Sequence, residues 1–298
     1  MITLDASTPI DIRNILLATD FDPISEAALR YSLVIARRYK AKMYLLHVVP
    51  PETFQFLAGD ARQRSLDEAW RDAHRHMTDL LIAGHLEGVE HQVMVEQGEI
   101  WEVISKRIEE LHANMLVLGT HGRTRIGKLL LGSVAETIFR QAPCPVLTAG
   151  PKTTLEAVAA GPRKILFCTG FSGHSLRAGS YALALAQARE AELILMHVIQ
   201  QTAETPQRRE EMRQEATEKL RGLIPEGVQL SVPAKFIVDF GNSAERILAA
   251  AGEHNPNLIV LGVRQPEGFA RRLKWATAYE VVANAPCPVL TVRTTVPV

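Results

Sequence analysis

The stretch Ala142–Thr148, APCPVLT, recurs letter for letter at Ala285–Thr291, an offset of 143 residues. Upstream, the run ILLATDFDPISEAALRYSLVIARRYKAKMYLLHVV from Ile15 aligns without a gap on ILFCTGFSGHSLRAGSYALALAQAREAELILMHVI from Ile165, an offset of 150. Self-similarity over such a span means that one folding unit has been made twice, and each copy must bury its own core. The two offsets differ by 150 − 143 = 7 residues, so the second copy is shorter in its middle.

Within each copy, short β-type apolar runs alternate with helical patterns. The first copy predicts strands at Asn14–Thr19, Lys42–Val49, His91–Glu96, Met115–Gly119 and Pro145–Ala149, with helices near 24–39, 60–85, 99–112 and 132–141. The second predicts strands near 163–168, 192–199, 232–238, 257–262 and 288–293. Uninterrupted apolar strands separated by helices specify a parallel sheet covered on both faces. The expected class is α/β: two tandem doubly wound domains, each a five-stranded parallel sheet with helices on both faces. Gly-Pro pairs bracket the segment Gly150–Arg163, which places domains at 1–150 and 163–298 with a linker at 151–162.

Lys plus Arg and Asp plus Glu both number 33, a formal net charge of zero. That balance argues against nucleic-acid or anionic-membrane partners, which demand a local excess of positive charge. No apolar run is long enough to span a membrane, and the first residues show no secretory leader pattern. Three scattered cysteines, Cys144, Cys168 and Cys287, make neither a disulfide framework nor a Cys-x-x-Cys metal site. The expected compartment is the cytoplasm.

In an open parallel sheet, ligands bind beyond the carboxyl ends of the strands, near the switch in strand order. Three segments of the first copy converge there: Ala18-Thr19-Asp20, His47-Val48-Val49, and the loop after the fourth strand, GTHGRTRIGKLLLGSVAETI. That loop spaces glycines as Gly119-x2-Gly122-x9-Gly132-Ser133, and Gly132-Ser133-Val134 opens a helix. Glycines allow close backbone approach to a phosphate, and a helix N-terminus favours an anion. Arg123, Arg125 and Lys128 offer positive charge, and His121 sits within the loop. A Walker P-loop is absent, because Gly127-Lys128 is followed by Leu129. The same glycines also fit ordinary turns, and the same basic residues fit a solvated loop. Asp22 is expected to cap the helix that begins at Pro23.

The order ATDFDPISEAAL, LLHVV and LGTHGR…LLLGSVAETIFRQAPCPVL resembles the universal stress protein family, twice over, in its tandem form. The resemblance implies an adenine nucleotide alpha hydrolase-like fold and, in the ATP-binding branch, a nucleotide at this edge. Asp20 would contact adenine, backbone at Val48 would pack on the ring, and Gly119, Gly122, Gly132 and Ser133 would hold ribose and phosphates. Ala18, Thr19, His121, Arg123 and Val134 complete the implied contact set. ATP, AMP or ADP is the implied ligand, with Mg2+ carried through the phosphates. Arg125 departs from the family pattern, in which glycine is common at that position.

The second copy lacks this set. Gly170 stands at the position of Asp20, Gln265 at Gly122, Trp275 at Gly132 and Ala276 at Ser133, while Gly262 retains Gly119. One nucleotide site per chain is therefore expected. By analogy with the family, the two domains form an intramolecular pseudo-dimer, and a homodimer is a further expectation. The expected function is sensing or regulation in a stress response, with at most slow ATP hydrolysis, because no nucleophile elbow or general base marks the loop. Two other classes compete: a nucleotide-independent interaction scaffold, and an adenylating enzyme. Ten histidines show no standard metal-ligand spacing.

Overall fold

The computed structural model describes residues 3–5, 10–120, 133–202, 205–263 and 276–293. The chain divides into two compact units, Asp11–Leu147 and Thr148–Val298, with Met1–Ile10 belonging to the second.

In the first half the order is β1 (Asn14–Ala18), α1 (Pro23–Tyr39), β2 (Lys42–Val49), a short 3-10 turn (Pro51–Phe54), α2 (Gly59–Ile82), β3 (His91–Gln97), α3 (Ile100–Glu110), β4 (Met115–Gly119), α4 (Ser133–Gln141) and β5 (Val146–Ala149). These strands line up as β3-β2-β1-β4-β5. The central pair runs parallel from Asn14↔Lys42 to Ala18↔Leu46, and β1 also pairs in parallel with β4. Ile15, Leu16 and Leu17 are fully buried, as a strand covered on both faces requires.

The linker region carries a short helix, α5 (Leu155–Ala160), capped by the Thr154 side chain. The second half then repeats the pattern with β6 (Lys164–Cys168), α6 (Gly173–Arg189), β7 (Glu192–Ile199), α7 (Pro206–Arg221), β8 (Lys235–Phe240), α8 (Ser243–His254), β9 (Leu258–Val263), α9 (Ala276–Asn284) and β10 (Val289–Arg293). Its strand order is β10-β9-β6-β7-β8. The expected fold class is the observed one.

The duplication holds to the level of single hydrogen bonds. β1, α1 and β2 reappear as β6, α6 and β7 with both ends shifted by 150, and α4 reappears as α9 shifted by 143. Lys40 and Glu190 end α1 and α6 in the same left-handed conformation, φ 51° in each. The change of offset falls between β2 and β3, where α2 has 24 residues and its counterpart α7 has 16. One strand differs from expectation: β8 begins at Lys235 rather than near 232, because Pro233 has no N–H to give a ladder.

Residues from the start of the chain dock on the second half. Leu4 is buried, its N–H donates to the Leu223 carbonyl at 2.8 Å, and the Asp5 N–H donates to the Ser180 hydroxyl at 3.0 Å. Gly179 on α6 makes the room: a Cβ there would collide with the Leu4 side chain.

Candidate functional site

The N-terminal cleft is built at the carboxyl ends of β1, β2 and β4. The Thr19 N–H donates to the Leu46 carbonyl and ties the exit of β1 to β2. Asp20 follows, half-buried. Its Oδ1 accepts from the Ser25 hydroxyl at 2.6 Å and from the Asp22 N–H at 3.3 Å. Oδ2 has no hydrogen-bond partner among the described residues. The carboxylate is thus fixed through one oxygen and has the other to offer. Asp22 caps α1 as expected, accepting from the Ser25 N–H at 2.6 Å with Pro23 at the first helical position. Burial raises the Asp22 carboxyl above its ordinary value, and the Asp20 charge adds to that.

Val48 is buried in an apolar cluster with Leu16, Leu46 and Leu118, and Ala18 and Val134 pack against that cluster. Ala18, Thr19, Asp20, Val48 and Gly119 therefore come together at one sheet edge, as the sequence predicts. Ser133 begins α4. His121, Gly122, Arg123 and Gly132, with Arg125 and Lys128, lie outside the described residues.

Gly119 does something the spacing did not reveal. A Cβ there would sit 2.9 Å from the Ser25 nitrogen and 3.0 Å from the Ser25 hydroxyl, so glycine lets the first turn of α1 press against the end of β4. Gly262 repeats the arrangement more tightly, with a Cβ at 2.5 Å from the His174 carbonyl oxygen. Packing alone accounts for this glycine in both copies.

The cleft also holds an aromatic feature that sequence reading missed. Phe21 adopts φ 64° and its ring meets two imidazoles, His47 at 4.6 Å and His76 of α2 at 4.9 Å. His47 Nδ1–H donates to the Thr19 carbonyl at 2.7 Å, which orients its ring. The signal that would have found it is recurrence: Phe171, at φ 58°, stands 150 residues on, with His197 at 4.5 Å. His197 Nδ1–H likewise donates to the Thr169 carbonyl at 2.8 Å.

The second cleft differs at the carboxylate. Gly170 replaces Asp20, and nothing lies within 4 Å of where its Cβ would be. The Ser175 hydroxyl, lacking that acceptor, donates to the Ser172 carbonyl at 2.8 Å and accepts from the Thr169 hydroxyl at 2.8 Å. A cavity of about 660 Å³ opens here, bordered by Gly170, Phe171, His197 and one face of α7. Gln265 and Trp275 lie outside the described residues. Burial, with Lys219 nearby, lowers the proton affinity of His197 below the usual imidazole value.

With this geometry in place, comparison with known proteins decides the family. The universal stress protein family model matches residues 11–149 and again 161–293. The chain belongs to the universal stress protein family. A putative universal stress protein of Staphylococcus aureus (strain USA300) is 28% identical over 145 residues, 46% of this chain and 84% of that protein. Among solved structures, a universal stress protein from Archaeoglobus fulgidus DSM 4304 covers 95% of this chain and 99% of its own at TM-score 0.68 and 19% identity. A putative universal stress protein from Pseudomonas aeruginosa UCBPP-PA14 covers 95% and 93% at TM-score 0.60, also at 19% identity. At such identities these structures share the fold. Among the described residues, no helix is long and apolar enough to cross a membrane, and no group of three or more His, Cys, Asp or Glu could hold a metal ion.

Proposed function

We propose that this universal stress protein is a regulatory, ATP-binding member of its family with one nucleotide site, in the N-terminal domain. The observation that carries the reading is the Asp20 carboxylate, held by Ser25 through Oδ1 with Oδ2 unpartnered among the described residues. Such an oxygen can accept the amino hydrogen of an adenine, while the buried Val48 beside it supplies an apolar wall. Ribose and phosphates would fall to Gly122, Arg123, Gly132 and Ser133. Ser133 begins α4, and the free N–H groups of a helix start favour phosphate charge. Mg2+ would arrive on the phosphates and supply charge neutralisation there. Any hydrolysis is expected to be slow, since phosphoryl transfer without a placed base rests on positioning alone.

Gly170 argues that the second domain does not share the activity, because the acceptor for an adenine amino group is missing. Isothermal titration with Mg·ATP tests the reading. The expected result is one nucleotide per chain, with Asp20→Ala weakening binding about tenfold or more through loss of a charged hydrogen bond. Absence of binding, or two nucleotides per chain, overturns it.

A further inference from the structure

The second cleft is a cavity rather than a relic, and it differs from the first in two ways that point to one kind of ligand. The first difference is aromatic. Phe21 has two imidazoles against it, those of His47 and His76. Phe171 has His197 against it, and among the described residues no second ring stacks on it. Phe171 borders the open 660 Å³ volume, within the range of about 300–1,000 Å³ typical of small-molecule pockets.

The second difference is charge. Replacing Asp20 by Gly170 removes a carboxylate from the floor and leaves open space. On the facing wall, α7 presents Arg208, Met212, Glu215 and Lys219 to the cavity, a spacing of three and four that puts them on one helix face. Arg208 is held by two carboxylates, Glu211 at 3.1 Å and Glu215 at 3.5 Å, so its charge is fully matched on its own helix. Lys219 has no carboxylate within ion-pairing distance among the described residues. A cavity that offers an aromatic ring at Phe171 and, at Lys219, an ammonium engaged in no ion pair among the described residues suits an aromatic ring bearing a single negative charge.

We propose that the cleft of the second domain binds a small aromatic carboxylate, its ring stacked on Phe171 and its carboxylate on Lys219. The ligand class is set by this cavity alone and does not depend on nucleotide binding in the first domain.

The test is titration of the full chain, without nucleotide, using 2-naphthoate, with 2-naphthylmethylamine as the isosteric cation. The naphthoate is expected to bind at one site per chain and the amine not to bind. Lys219→Gln, a change at an exposed position, should weaken naphthoate about tenfold, the loss expected for one charge-assisted hydrogen bond. Gly170→Asp, into open space, should weaken it as well by returning the negative charge. Saturating ATP should not displace it. Failure of naphthoate to bind, equal binding of the amine, an unaltered affinity in Lys219→Gln, or displacement by ATP each overturns the proposal. A chain that binds no ATP but still titrates with naphthoate refutes only the nucleotide reading.

Discussion

Gly119 and Ser25 are separated by so little that a single added methyl on Gly119 would stand 2.9 Å from the Ser25 backbone nitrogen. Since Ser25 also holds Asp20, the close approach of β4 to α1 sets where the carboxylate points. The glycine of the loop motif therefore shapes the cleft through its floor, whatever it does toward a phosphate.

Gly119→Ala is expected to destabilise the first domain by about 1–3 kcal/mol, the usual cost of overpacking. Gly262→Ala should cost at least as much, because its Cβ would meet the backbone of His174 and Ser175 at 2.5 Å. Neither residue has a positive φ, so the cost is steric, and urea denaturation with domain-resolved probes would read it.

Asp22 offers a contrast between cap and charge. Asp22→Ala should cost about 1 kcal/mol by removing the acceptor for the Ser25 N–H. Asp22→Asn keeps an acceptor and removes a carboxylate whose folded value burial has raised. A raised carboxyl favours the fold when protonated and opposes it as pH rises past its unfolded value, so the asparagine variant should match or exceed wild-type stability at pH 7. Thermal melts of both variants check the ordering.

His197 makes the second domain sensitive to mild acid. Burial, the principal cause, lowers its folded value below the ordinary imidazole value of 6.5, so the unfolded chain takes up the proton first. Stability is unaffected above about pH 6.5 and falls as pH drops from there toward the folded value. His197→Gln should flatten the loss of Tm between pH 7 and pH 5.

The cysteines should be silent in the native state. Burial raises the Cys144 and Cys287 thiols to about 12 and raises Cys168 as well. Thiolate is the reactive form, so alkylation by iodoacetamide at pH 8 should be negligible until denaturant is added, and should then reach three equivalents. Mass spectrometry before and after unfolding gives the count.

The architecture was legible because parallel strands such as Ile15–Leu17 are apolar on both faces, and because each half restates the other. The placement of Asp20 and Val48 at the cleft was legible for the same reason: Asp20 follows β1 and Val48 is the penultimate residue of β2, strands whose ends are sharply marked. The short helix Leu155–Ala160 was not, since six residues hold too little periodicity to stand out from a linker. The recurrence of Phe171 beside His197 marks the contact of Phe21 with His47, whereas the stack of Phe21 on His76 joins two elements through packing that no local pattern records. The approach of Gly119 to Ser25 is likewise a tertiary fact, which sequence spacing presents as a loop motif.

Leu4 gives the order of synthesis a physical meaning. Its seat is made by Gly179 and the Leu223 carbonyl, so it leaves the ribosome well before the surface that receives it. Until residues near 223 emerge, that leucine has no apolar home. The first domain can close over its own core while this strap trails free. Completion of the second domain is then an event felt at the opposite end of the sequence, and a bulky fusion placed just ahead of Leu4 would compete with the final step of maturation.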